Sequence, residues 1–288
     1  MSPHPAIVAG RVAVVSGAAS GIGRAAATRF AALGMRVVLL DIDASGVLAA
    51  VEAIREAGGQ AIALVMDVSE RADWERALQT ASAFGEVSIL MNNAGREAGP
   101  GTAGAAGALF AHPSTWEKTL GVNLWGPVYG TQVFGPLFLS AAYPVAVINT
   151  GSKQGITQPP GDSAYNVSKA GLKALTECTS HELRTATGGR ASAHLLIPGF
   201  TFTGFQRARG VTEKPAGAWT PEQVVEYMLE GLAAGDFYIL CPDNEVTRAI
   251  DIKRMRWSAG DIIEGRPALS RWHPDHAAAF AAHMASDS

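Results

Sequence analysis

The stretch that most constrains this chain is Ser16-Gly17-Ala18-Ala19-Ser20-Gly21-Ile22-Gly23. A short β-branched run over 11–16, with Val12, Val14 and Val15, enters it and reads as a strand. A helical pattern leaves it over 22–33. A strand that turns on glycines into a helix brings backbone N–H groups and the positive end of a helix dipole to one place. Glycine also lets the backbone approach a pyrophosphate closely. Gly17, Ser20, Gly21, Ile22 and Gly23 are therefore the candidate cradle of a dinucleotide.

The remainder of the chain alternates in the same way. Strand patterns fall at 35–40, 60–66, 88–91, 145–148, 192–197 and 237–240, and helical ones at 44–57, 71–84, 113–140 and 164–185. Thr220-Pro221-Glu222-Gln223 has the cap, early proline and acid of a further helix start. Seven strands separated by helices predict an α/β chain: a single-domain Rossmann fold, with a doubly wound seven-stranded parallel sheet and helices on both faces. The domain is expected to take in 1–288, with a core over 11–241 and a helical extension over 242–288. A glycine- and alanine-rich stretch, 96–112, has no period and reads as a functional loop over the site or at a subunit contact.

Composition excludes several classes. The net charge of −3 leaves no basic footprint for nucleic acid and no polybasic membrane patch. No apolar run is long enough to span a bilayer, and the first residues carry no basic n-region of a signal peptide, so a cytoplasmic protein is expected. Cys178 and Cys241 lack any metal-ligand or CxxC spacing and read as small buried residues. His273 and His276 have no carboxylate or thiol at ligand spacing; they read as part of a packed or solvated tail, and no metal is expected.

Asp41 closes the second strand, where an acid takes the hydroxyls of an adenosine ribose. A carboxylate about 4 Å from a 2′-phosphate would cost roughly 4 kcal/mol at an effective dielectric near 20. Ile42 follows where an arginine could have welcomed that phosphate, and Ser20 is not basic either. The expected cofactor is NAD. The segment Ser163-Ala164-Tyr165-Asn166-Val167-Ser168-Lys169 puts a phenol and an ammonium on one helix face. A fixed cation beside a phenol favours the phenolate and pulls its pKa towards the working range, which makes the two a general acid/base.

The glycine spacing Gly-x-x-x-Gly-x-Gly, the run Asn92-Asn93-Ala94-Gly95 after a strand, Ser152 ahead of Tyr165 and Lys169, and Pro198-Gly199 after the sixth strand resemble the short-chain dehydrogenase/reductase family. The resemblance covers about Val12 to Leu240. It implies that Asp67 and Val68 border the adenine, that Asn93, Ala94 and Gly95 pass under the cofactor, that Pro198-Gly199 come just before the backbone turns under the nicotinamide, and that a threonine after them reaches the cofactor, for which Thr201 and Thr203 both qualify and Thr203 matches the commoner spacing. It implies a catalytic set of Asn123, Ser152, Tyr165 and Lys169. In that set Ser152 bonds the substrate oxygen, Tyr165 moves the proton, Lys169 also holds the nicotinamide ribose, and Asn123 holds a water in the proton path. Ser163 and Ser168 match no catalytic place, and Ser168 is read as helix surface or packing.

The implied reaction interconverts a secondary alcohol and a ketone. Gln154, Phe200, Phe202, Phe205 and Trp219 are bulky, uncharged and on segments expected to line the pocket, which predicts an apolar, aromatic or cyclic small-molecule substrate. The resemblance also implies a homotetramer or homodimer built on the helices around Asn123 and Tyr165. The intact catalytic set weighs against a non-catalytic NAD-binding sensor or scaffold. The short tail after Leu240 weighs against an epimerase or dehydratase. Scattered Arg207, Arg209 and Lys214 make no docking patch for an acyl-thioester substrate.

Overall fold

In this computed structural model, residues 2–97, 109, 113–204 and 210–286 are described. Seven parallel strands form one sheet in the order β3-β2-β1-β4-β5-β6-β7. They are β1 (Val12–Ser16), β2 (Arg36–Asp41), β3 (Gln60–Val65), β4 (Val87–Asn92), β5 (Val145–Thr150), β6 (Ala191–Ile197) and β7 (Tyr238–Leu240). The flanking helices are α1 (Gly21–Ala32), α2 (Ala44–Glu56), α3 (Arg71–Phe84), α4 (Pro113–Leu120), α5 (Gly126–Ser140), α6 (Gln154–Thr157), α7 (Ser163–Thr187) and α8 (Pro221–Ala234). The extension adds α9 (Arg248–Ile263) and α10 (Ala277–Ala285). This is the doubly wound single-domain fold read from the sequence, with strand ends displaced by one or two residues.

The alternation of side chains along each strand builds a core on both faces. From β1 and β2, Ala13, Val15, Val37 and Leu39 enter the layer under α1, α2 and α8. Val12, Val14, Val38 and Leu40 enter the layer under α3, α5 and α7. Trp74 is fully buried in the second layer, and its Nε1 donates to Val68 O at 2.9 Å, so its polar edge is satisfied. Helix starts are set as their sequences suggest. Thr220 and Gln223 form a reciprocal capping box on α8, and Asp162 accepts from Tyr165 N at 3.0 Å to start α7.

The expected single helix over 113–140 is interrupted. Between α4 and α5 the chain makes a wide π turn, Gly121–Trp125, which contains Asn123. Gly126, just beyond it, packs against Val68, where a Cβ would stand 3.1 Å from a Val68 methyl. The extra residue turns Asn123 inward to full burial. Most of the 96–112 stretch lies outside the described residues, as do Phe205, Arg207 and Arg209. Among the described residues no helix is long and apolar enough to cross a membrane.

The N-terminal segment is tied to the far side of the sheet. Ala6 and Ile7 are in the core, and Ser88 Oγ donates to Ala6 O at 2.7 Å. His4 stacks edge-on to His194 with ring centroids 5.2 Å apart. Burial, with His194 beside it, pushes the His4 imidazole down to about 4, and burial lowers His194 as well. The unfolded chain therefore takes up protons near pH 6.5 that the folded chain refuses, so the stability these groups provide is present above that value and lost as pH falls towards 4. Urea midpoints measured from pH 7 to 4.5 should fall, and His4→Gln should flatten the slope by up to about 1.4 kcal/mol per pH unit. Equal slopes in the two proteins would show that His4 takes no part in the acid sensitivity.

Candidate active site

A cavity of about 690 Å³ opens at the carboxyl ends of the strands, where β1 and β4 lie side by side and the strand order reverses. Open α/β sheets bind ligands at this switch point. Gly17, with φ +67°, carries no side chain because a Cβ would stand 2.8 Å from Ala94 Cα. Gly21, with φ +54°, starts α1 under Thr203. The Ser20 side chain does not cap α1, and no acid stands in its first turn. The positive end of the helix therefore faces the cavity. A dinucleotide pyrophosphate fits this cradle by chemistry and by shape.

Gly17, Ser20, Gly21, Ile22, Asp41, Asp67, Val68, Asn93, Ala94 and Gly95 all line the cavity, with Pro198, Gly199, Thr201 and Thr203 across from them. Gly23 is not on the wall. A Cβ there would be 2.2 Å from Gly17 O, so this glycine permits helix and turn to close on each other. Asp41 is held by Ala19 N on Oδ2 at 2.9 Å and by Asp43 N on Oδ1 at 3.0 Å. Each carboxylate oxygen keeps a lone pair for a further donor. Asp67 Oδ1 accepts from Ser69 N and Ser69 Oγ at 2.8 and 2.7 Å.

Ser152, Tyr165 and Lys169 stand together on the same wall. Ser152 Oγ accepts from Gln154 N at 3.1 Å, which fixes its rotamer, and it shares a hydrogen bond with the Tyr165 hydroxyl. Lys169 Nζ lies 5.7 Å from the Tyr165 ring centre and donates to Thr150 O at 2.8 Å. Here the electrostatics differ from the sequence expectation. Burial pushes the Tyr165 phenol up to about 12, opposed by Ser152 and reinforced by Glu97 and Asp162, and burial pulls Lys169 down to about 8. Desolvation disfavours the charged form of each. The lysine is turned to a carbonyl rather than to the phenol.

Asn123 is off the wall. Its Oδ1 accepts from Arg96 N at 2.8 Å, and its Nδ2 donates to Arg96 O at 2.8 Å and to Ser168 Oγ at 3.0 Å. The side chain thus fastens the start of the 96–112 stretch to α7 instead of facing the cavity. Ser168, read as surface or packing, is fully buried and completes this link by donating to Tyr165 O at 2.7 Å. Its place immediately before Lys169 on a face shared with Asn123 becomes visible only once the π turn is known.

The substrate end is more polar than expected. Gln154 and Phe200 are on the wall, but so are Arg96, Glu97 and Lys153. Trp219 is elsewhere: its indole packs on the core and on Tyr227, and Nε1 donates to Asn244 Oδ1 at 3.1 Å. Phe202 is also off the wall, its N–H bound to Trp219 O at 2.9 Å. The backbone pairing of Thr201 with Trp219 explains both positions, because it ties this segment down beside α8.

Known proteins resemble this chain in sequence and in fold. The short chain dehydrogenase family matches residues 11–214. The chain is 31% identical over 240 residues to estradiol 17-beta-dehydrogenase 11 of Mus musculus, covering 82% of this chain and 77% of the other. It is 32% identical over 270 residues to 1-deoxy-11-beta-hydroxypentalenate dehydrogenase of Streptomyces exfoliatus, covering 91% and 94%. A short-chain dehydrogenase/reductase of Burkholderia phymatum, solved in complex with NAD, superposes with a TM-score of 0.79 at 33% identity, over 90% of this chain and 96% of that one. The chain belongs to the short-chain dehydrogenase/reductase family, whose members bind a nicotinamide cofactor. Solved relatives include complexes with NAD and with NADP.

Ser168 gives the first test of the site. Ser168→Ala leaves the buried Asn123 amide short of a partner, which should lower stability by about 1–3 kcal/mol in urea unfolding. An unchanged midpoint would mean that the link from Asn123 to α7 is not under load.

Proposed function

We propose that this protein is an NAD(H)-dependent dehydrogenase that interconverts a secondary alcohol and a ketone on a cyclic, partly apolar body. The observation that carries the cofactor reading is Asp41, a fixed carboxylate on the cavity wall beside the exposed, uncharged Ile42. Its negative charge suits two ribose hydroxyls and opposes a phosphate. The cyclic substrate rests on Phe200 at the wall and on the dehydrogenases for estradiol and 1-deoxy-11-beta-hydroxypentalenate among the relatives.

Each residue has a task in this reading. The bound nicotinamide supplies the hydride acceptor or donor. Ser152 donates to the substrate oxygen and steadies the charge that develops there, a contact typically worth about 10²–10³ in rate. The Tyr165 hydroxyl gives its proton to a carbonyl oxygen in reduction and takes one from a hydroxyl in oxidation. Lys169 supplies the positive charge behind that exchange and is held in place through Thr150. Asn123, through Ser168, keeps the first turn of α7 against the Arg96 backbone. The phenol keeps its proton at neutral pH, while burial pulls Lys169 down to about 8, so the positive charge behind the exchange is lost as pH rises above that value.

Cofactor choice is tested by binding. The parent chain should bind NADH at least tenfold more tightly than NADPH in fluorescence titration. Asp41→Ala combined with Ile42→Arg should bring the two within about threefold or reverse them. A parent that prefers NADPH would overturn the reading of Asp41.

A further inference from the structure

Lys153 directly follows Ser152 and leads into the short helix α6. Its ammonium lies 2.5 Å from Asp251 Oδ2 and 3.6 Å from Asp243 Oδ2, and both aspartate side chains are only 4% exposed. Asp251 belongs to α9, in the C-terminal extension, and Asp243 stands just after β7. Asp243 holds more than the lysine. Its Oδ2 accepts from Phe200 N at 3.0 Å, and its Oδ1 accepts from Glu245 N at 3.0 Å and Val246 N at 2.6 Å. A Cβ on Gly199 would stand 2.8 Å from Asp243 Oδ2, so the turn reaches this carboxylate closely only as glycine.

Two parts of the cavity wall therefore converge on one buried cation. The first is Ser152–Gln154, which carries the hydroxyl beside Tyr165. The second is Pro198–Phe200, which bears the exposed Phe200 ring. A third body, α9, contributes Asp251 to the same point. Buried charges persist only when paired, and such pairs resist displacement because a lone partner is left uncompensated. Burial pushes the Asp251 carboxyl up, and Lys153 and Arg254 pull it back.

We propose that Lys153, gripped by Asp243 and Asp251, is the positioning residue through which the C-terminal extension sets Ser152 and the Pro198–Phe200 turn at the cavity. The catalytic consequence rests on the dehydrogenase reading above; the mechanical coupling does not. A misplacement of about 1 Å in a reacting geometry can cost on the order of 10²-fold in rate.

The test uses the full chain as Asp251→Asn and as the double variant Lys153→Met with Asp251→Leu. Three things are measured: hydrogen–deuterium exchange, the thermal midpoint, and kcat and KM on an alcohol that the parent oxidises. Asp251→Asn should quicken exchange across 152–158 and 198–201, distant in sequence from the substitution, and leave the glycine turn 17–23 unchanged. Its kcat should fall at least tenfold with KM within about threefold. The double variant should recover the thermal midpoint, since Lys153 and Asp251 leave together and the remaining Asp243 carboxylate keeps its three backbone N–H donors, but it should not recover kcat. Midpoint and kcat that recover together would make the cluster merely structural and overturn the proposal. Exchange that quickens only within α9 would overturn it without any substrate. If no alcohol is oxidised by the parent, exchange alone decides the coupling, and the dehydrogenase reading fails separately.

Discussion

The cavity depends on one hydroxyl, that of Ser16 at the end of β1. It accepts the backbone N–H groups of Asn93 and Ala94 at 3.0 and 3.1 Å, and Asn93 Nδ2 donates back to Ser16 O at 3.1 Å. Thr150 Oγ1 adds a bond to Asn93 Oδ1 at 3.1 Å. The ends of β1, β4 and β5 are thus riveted together where the strand order reverses. Behind this lies a second line of buried amides. Asn92 Nδ2 donates to Asn149 Oδ1, and Asn149 Nδ2 to Thr176 Oγ1 on α7. Polar groups buried in a low-dielectric core hold position firmly when they are paired. The glycine cradle and the helix carrying Tyr165 and Lys169 are fastened to one frame, and their separation follows from it.

That frame also explains the protonation states. The phenol and the ammonium sit close together, but both are desolvated, and Lys169 is committed to the Thr150 carbonyl beside the rivet. Proximity in sequence and on a helix face put them together. The low dielectric around them, which only tertiary packing creates, decided the direction of both shifts. Ser152 is the group that lowers the phenol directly, which makes its placement the sensitive variable of the site.

Much of this was legible in the sequence because it rests on local chemistry. Strand runs, the cap at Thr220 and the glycines of the cradle each express a backbone requirement that one residue type satisfies. The π turn was not legible, because no local residue type demands it and the close approach of Gly126 to Val68 beside it is made across the fold. Trp219 could not be placed, since a large aromatic ring in an irregular segment suits a cavity wall and a core equally until its backbone partner is known. Nothing local marks Lys153 in the sequence; its partners Asp243 and Asp251 are far along the chain and become neighbours only when the extension folds back on α6. The wall proved more polar than the aromatic residues of the 200–219 segment suggested, because Arg96, Glu97 and Lys153 reach it from other segments.

The most direct measurement is NADH formation at mildly alkaline pH, across secondary alcohols from small aliphatic to bulky cyclic, with NAD and NADP in parallel and Tyr165→Phe as the control. Turnover with NAD that increases with cyclic, apolar bulk and collapses in Tyr165→Phe is the predicted result. A folded, cofactor-bound Tyr165→Phe enzyme that keeps near-normal turnover would contradict the account.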